Sequence, residues 1–171
     1  MIAYRVYHSQ KENPLMVISA SGGEPRKVLD TPIGYAWSPD GKELAFISER
    51  FILAIPIAGG EARRIVDRKE LGVDEVSYGF CWSPDGRHLA FASYNRVTGK
   101  PGPGPIFMVS AEGGEITKLA TDDPGQKDYL YWSPDSKWIS YNSDGMVKTR
   151  SEGAIWEADV SELLSSQTRE Q

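Results

Sequence analysis

Few residues in this 171-residue chain can do chemistry on their own account. There are two histidines, His8 and His88, and one cysteine, Cys81. On the strand pattern developed below, His8 falls near the end of one strand and His88 near the start of another. That puts them at opposite ends of one layer, where they do not share a metal ion. Cys81 lies between Phe80 and Trp82 in an apolar segment. A nucleophilic thiol wants a basic, partly open setting, so Cys81 reads as a small buried hydrophobe. Neither a G-x-S-x-G elbow nor an H-E-x-x-H helix motif occurs. Gly102-x-Gly104 is followed by neither a helix nor a Lys-Ser/Thr pair, so it is not a phosphate loop. Asp122, Asp123 and Asp128 offer oxygen ligands but fit no calcium-loop spacing. The sequence therefore assigns no catalytic residue, no metal ligand and no cofactor. What remains are basic side chains in variable segments, and Arg96, Lys100, Arg50 and Arg68 are the expected contact residues of a binding surface.

Charge narrows the partners. Nineteen Lys+Arg stand against 24 Asp+Glu, a formal net charge of −5. A general nucleic-acid binder needs a basic stripe, and a membrane-surface protein needs a polybasic segment. No apolar run reaches the roughly 18 residues of a membrane span. One cysteine excludes an intramolecular disulfide framework and a cysteine-based zinc site. The first residues show no basic region followed by an apolar core, so a cytoplasmic location is expected as written; a truncated N-terminus would leave the periplasm open.

The elements that position these residues come in repeats. Trp37-Ser38-Pro39-Asp40-Gly41 recurs as Trp82-Ser83-Pro84-Asp85-Gly86 and as Trp132-Ser133-Pro134-Asp135-Ser136. Gly22-Gly23-Glu24, Gly59-Gly60-Glu61 and Gly113-Gly114-Glu115 interleave with them. In Ser-Pro-Asp-Gly, proline presets φ for the first turn position and the aspartate accepts a local backbone N–H. Glycine then takes the left-handed position. Ser136 occupies that last position in the third copy, at an expected strain of about 1 kcal/mol. Gly-Gly-Glu is a hairpin turn that needs positive φ. The flanking segments, such as Leu44-Ala45-Phe46-Ile47, are apolar on both parities, as in sheets covered on both faces.

Each repeat thus predicts four antiparallel strands, a to d, with Ser-Pro-Asp-Gly between a and b and Gly-Gly-Glu between c and d. Four-stranded units of about 45 residues that cover one another are propeller blades. The fold class is all-β, with about 3.5–4 blades at approximately 1–30, 31–67, 76–120 and 128–160. Residues 161–171 form a polar tail, opened by a helical turn capped by Ser161.

The W-S-P-D-G and G-G-E pattern resembles the TolB-like β-propeller repeat, a relative of WD-type repeats. The resemblance implies a propeller. It also implies relatives that bind proteins, that accompany peptidase domains, or that are oligogalacturonate lyases. No catalytic triad carries over, and two histidines are too few for the lyase pattern.

Strand content reads as b-c-d, a-b-c-d, a-b-c-d and a-b-c. Closed propellers of this type have six to eight blades. The expected partner is therefore a second copy completing an eight-bladed ring, or else the missing remainder of a longer propeller. Turns a–b and c–d share one regular face. The segments of variable length share the other, and there a protein or peptide ligand is expected. The longest is the basic, Gly/Pro-rich run Asn95 to Pro105, expected as a loop. Alternatives are a carbohydrate-active or peptidase-associated propeller, and a fragment with no independent function.

Overall fold

The computed structural model describes residues 1–6, 13–97, 100–119, 127–143, 154–162 and 164. His8, Asp122, Asp123, the segment 144–153 and most of the tail lie outside these. The strands form four separate antiparallel sheets. Sheet 1 holds β1 (Ile2–Arg5), β2 (Leu15–Ile18) and β3 (Arg26–Leu29), and sheet 2 holds β4 (Tyr35–Trp37), β5 (Glu43–Ile47), β6 (Phe51–Pro56) and β7 (Arg63–Asp67). Sheet 3 holds β8 (Glu75–Trp82), β9 (His88–Val97), β10 (Lys100–Ser110) and β11 (Ile116–Leu119). Sheet 4 holds β12 (Lys127–Trp132), β13 (Trp138–Ser143) and β14 (Ala154–Asp159). Strand neighbours follow chain order throughout. We refer to the sheets as blades 1 to 4.

Local chemistry explains the hairpins. Gly41 and Gly86 have φ of 69° and 74°, and Ser136 follows them at 60°. In each turn this residue's amide donates to the serine carbonyl three positions back, at 2.9 Å. The aspartates accept from the amides of Lys42, Arg87 and Lys137 at 3.0–3.2 Å. The serine hydroxyl does more than expected. It donates to its own turn aspartate at 2.5–2.7 Å, and it accepts the first amide of strand b at 2.9–3.0 Å. All six glycines of the three Gly-Gly-Glu turns have positive φ.

One expectation is corrected. The run 95–105 is not a loop: β9 and β10 continue through it as a paired hairpin, with Arg96 opposite Pro101 and Tyr94 opposite Pro103. Prolines at 101, 103 and 105 remove amides of one parity only. The next strand out, β11, pairs only with Ile106 to Val109, so that stretch of edge needs no ladder from them. The register shifts between Pro103 and Ile106. There Gly104 lies so close to β9 that a Cβ would sit 2.3 Å from the Ser93 carbonyl oxygen. Where the chain leaves β14, the Leu164 amide donates to the Val160 carbonyl at 3.1 Å. The Asp159 carboxylate holds Ser161, accepting its amide and hydroxyl at 2.9 and 2.6 Å.

Apolar seams hold neighbouring blades together. Leu15 and Val17 pack on Leu44 between blades 1 and 2. Ala45, Ile47, Ile52 and Ala54 meet Phe80, Leu89, Phe91 and Phe107 between blades 2 and 3. Ala90, Ala92, Ile106 and Met108 meet Leu130, Ile139 and Tyr141 between blades 3 and 4. The face that blade 2 turns to blade 3 therefore uses Ala45, Ile47 and Ala54, and blade 3 uses Ala90, Ala92 and Met108 in the same way. Strand registers place Ser140, Asn142 and Glu157 at the matching positions of blade 4. Asn142 and Glu157 are exposed. Tyr131, which matches the half-buried Ala36 and Cys81, is 61% exposed, and Trp138 is 41% exposed. The outward face of blade 1 differs: Met1 and Ile2 are apolar and about half exposed.

Candidate functional site: the variable-loop face

Strand ends fix the side chains of this face. On blade 2 the β5–β6 connection, Ser48 to Arg50, lies beside the end of β7. Arg50 forms a forked ion pair with Asp67, Nη2 to Oδ2 at 2.7 Å and Nε to Oδ2 at 3.1 Å. The Arg50 guanidinium also lies 4.9 Å from the Phe51 ring centre. Asp67 in turn accepts the Lys69 amide and caps the 3-10 turn Arg68–Leu71. The Arg50 hydrogen bond holds the Asp67 carboxyl below its ordinary value, and the same bond raises Arg50. Arg68 reaches back so that its Nη1 donates to the carbonyls of Glu49 at 2.7 Å and Ser48 at 3.4 Å. Both arginines thus tie the β5–β6 connection to the end of β7.

The expected contact residues fall into two groups. Arg50 and Arg68 come together on blade 2. Arg96 and Lys100 stand on the β9–β10 hairpin of blade 3, near its tip. The positions of their side chains lie outside the described residues.

Among the described residues, two clefts open on this face, one at each of the first two seams. The first, about 610 Å³, lies between blades 1 and 2 and is lined by Arg5, Asn13 and the segment Thr31 to Tyr35. Arg5 donates to the Ile33 carbonyl at 3.5 Å. The second, about 410 Å³, lies between blades 2 and 3. Ile33, Ile47 and Val76 form its apolar part, with Glu49, Arg68, Asp74, Glu75 and Tyr94 around them. Ile33 lines both clefts. The Tyr94 hydroxyl donates to the Glu75 carboxylate.

At the third seam, bulges in β8 and β12 bring the inner strands together. Ser77 donates to Asp128 across the seam. A Cβ on Gly79 would lie 2.9 Å from the Tyr129 amide nitrogen, and Tyr129 itself takes φ of 53°. Lys127, 2% exposed, starts β12 opposite Ser143. Sequence reasoning missed the Ser77–Asp128 and Tyr94–Glu75 pairs. Each joins residues from different strands, and no local spacing signals them.

The opposite face spends its polar groups on its own turns. A cleft there, about 510 Å³, is lined by turn residues of blades 2 and 3 together with Arg63. Arg63 Nη2 is engaged by Glu43 at 2.8 Å, and its Nη1 donates to the Ala111 carbonyl. Burial pushes the Cys81 thiol up to about 12, so it stays protonated at neutral pH. Among the described residues no group of three or more His, Cys, Asp or Glu side chains is arranged to hold a metal ion. No helix among them is long and apolar enough to cross a membrane.

With four-stranded sheets, apolar seams and repeated turns in view, known proteins supply the comparison. The β-propeller domain of the Trilobed protease from Pyrococcus furiosus superposes with a TM-score of 0.58 at 14% identity, over 92% of this chain and 50% of that one. The fold is that of a β-propeller. A structure from a study of two prolyl endopeptidases gives a TM-score of 0.61 at 18% identity, over 92% of this chain and 26% of that one. In sequence, the chain is 28% identical over 140 residues to the uncharacterized peptidase YuxL of Bacillus subtilis strain 168. That match covers 76% of this chain but 18% of the relative, so the chain spans a small part of it. No known protein family's sequence profile matches the chain.

Proposed function

We propose that this chain is a non-enzymatic propeller module that binds a protein or peptide on its variable-loop face. One contrast carries the reading. The regular face consumes its serine and aspartate groups within its own turns. Among the described residues, the variable face instead carries two adjoining clefts lined by charged side chains at strand ends or in the connections beside them. Rigid strands holding polar groups around a cleft suit selective recognition at low ordering cost. The test is a selection of displayed 12-residue peptides on the folded protein. Charge reversal on the variable face, Glu49→Lys, is expected to abolish binding of the selected peptides, and Asp40→Lys on the turn face to leave it intact. The opposite pattern sinks the reading.

The ring-completing second copy belongs to this proposal in modified form. Ser140, Asn142 and Glu157 stand where the internal seams use alanine, isoleucine and methionine. A seam formed there is wet and weak, so the dimer forms only at high concentration. Sedimentation equilibrium is expected to show a species of twice the chain mass that dissociates on dilution. A monomer at every concentration removes the ring from the account.

A second reading, a propeller serving a peptidase, is favoured by the similarity to YuxL. Under it the same face meets peptides on their way to a catalytic domain. It predicts that selected peptides stay uncleaved by this chain alone.

A further inference from the structure

We infer that Tyr129 and Tyr131 of blade 4 anchor a second copy of this chain, filling the place of an inner strand on that copy's blade 1. The inference rests on the ring-completing reading and names the residues that close the ring. Among the described residues, the exposed large apolar side chains are Met1, Ile2, Tyr129, Tyr131 and Trp138. All of them belong to blades 1 and 4. Among the described residues, these are the two blades with an apolar seam on one side only. Exposed apolar surface gathered in such places marks an interaction site.

The inner strands show what each end of the chain is shaped to meet. β4 packs against β8, and β8 against β12. Where one inner strand faces the next, two positions are small: Ala36 and Cys81 stand one residue before the repeated tryptophan, and Gly34 and Gly79 three residues before it. At Gly79 the next strand leaves no room for a side chain, since a Cβ would lie 2.9 Å from the Tyr129 amide nitrogen. Blade 4 carries Tyr131 and Tyr129 at the same two positions, 61% and 64% exposed. The registers agree: Tyr131 pairs with Ser140 as Ala36 does with Ala45 and Cys81 with Ala90. Tyr129 holds its place at φ of 53°, a left-handed backbone that favours glycine, and such strain gathers at functional sites. Tyrosines at these positions overpack a seam that has an inner strand on its far side. Blade 1 presents no such strand among the described residues: its order is β1-β2-β3, and β1 is the edge. Pairing with β2 matches β1 to β5 and β9, so Ile2 stands where Leu44 and Leu89 are fully buried, yet it is 52% exposed. The large residues of one end thus suit the open inner side of the other. A head-to-tail pair with twofold closure covers both ends of both copies. Two blade 1 faces packed on each other leave the tyrosines bare.

The test measures dimer dissociation by sedimentation equilibrium for the wild-type chain, Y129G/Y131A and I2E. Y129G/Y131A gives blade 4 the small inner residues of blades 2 and 3, and it should weaken the dimer about tenfold or more. At low concentration the same variant should melt no earlier than wild type, because both rings are exposed in the single chain and glycine relieves the backbone at 129. I2E puts a carboxylate into the same seam from the other side and should weaken the dimer by a similar factor. The decisive arm mixes the two variants. A mixed head-to-tail dimer keeps one intact seam and carries both changes in the other, where one contact is not lost twice. The mixture should therefore dimerise more tightly than either variant alone. If either variant does not fold, as judged by circular dichroism, Y131A and I2S take their places. A dimer indifferent to the tyrosine variant overturns the inference and leaves the ring reading standing. Two weakened variants that do not recover on mixing overturn both, because the contact is then not head-to-tail. A wild-type chain that is a monomer at every concentration also overturns both.

Discussion

Gly104→Ala probes the hairpin that carries Arg96 and Lys100. An ideal Cβ at this position lies 2.3 Å from the Ser93 oxygen, 2.6 Å from its carbonyl carbon and 2.8 Å from the Tyr94 Cα. All three are backbone atoms, so no side chain can swing away, and β9 and β10 must separate locally. Overpacking of this kind costs about 1–3 kcal/mol. Separation also lengthens the bond from the Ser93 hydroxyl to the Pro105 carbonyl, now 2.8 Å, and a lost bond of that kind costs about 1 kcal/mol. Alanine returns about 0.4–1 kcal/mol by restricting the unfolded chain. The net loss is about 1–3.6 kcal/mol, or about 3–10 °C in melting temperature for a chain of this size. Thermal unfolding followed by circular dichroism reads this directly. Ser93→Ala removes only the hydroxyl bond and should cost about 1 kcal/mol. A Gly104→Ala protein that melts within about 1 °C of wild type refutes the close approach, and with it the hairpin reading of this segment.

Ser136→Gly should stabilise by up to about 0.6 kcal/mol, since relief of about 1 kcal/mol of left-handed strain is offset by about 0.4–1 kcal/mol of added unfolded-state entropy; chemical denaturation measures the gain. The turn and loop carboxylates make stability acid-sensitive. Asp40 is lowered by the Lys42 amide, Asp135 by the Ser133 hydroxyl and Asp67 by its bond to Arg50, each from an ordinary 3.8. A depressed folded value means stability that is complete above the unfolded value and lost as pH falls through the folded one. Melting temperature should therefore drop below about pH 4, and Asp67→Asn should flatten part of that fall. Asp67→Ala should lower the melting temperature more than Arg50→Met, because Asp67 also caps the 3-10 turn through the Lys69 amide; equal effects remove that role. Cys81 should react with a thiol reagent much more slowly in the folded protein than on unfolding, because burial raises its pKa and keeps it protonated.

What the sequence made legible was local. Ser-Pro-Asp-Gly and Gly-Gly-Glu dictate their own backbone, so the turns and the four-sheet order could be read directly. Cross-strand facts were not legible. The proline-rich run 100–105 lacks the composition of a strand and becomes one because β9 pairs with it. The polar outward face of blade 4 emerges only once registers align Ser140 with Ala45 and Ala90. The bonds from Ser161 to Asp159 were likewise not legible. The clefts were invisible for the same reason: Glu49 and Glu75 are 26 residues apart in sequence and share one wall only through the seam. Of the expected contact residues, Arg50 and Arg68 anchor the β5–β6 connection to the end of β7.

The most direct test of the account is amide chemical-shift mapping of the isotopically labelled protein with a selected peptide. The account predicts saturable shifts at Ile33, Glu49, Val76 and Tyr94, around the second cleft, with the turns at Asp40, Asp85 and Asp135 unmoved. Shifts centred on those turns, with the cleft silent, contradict it.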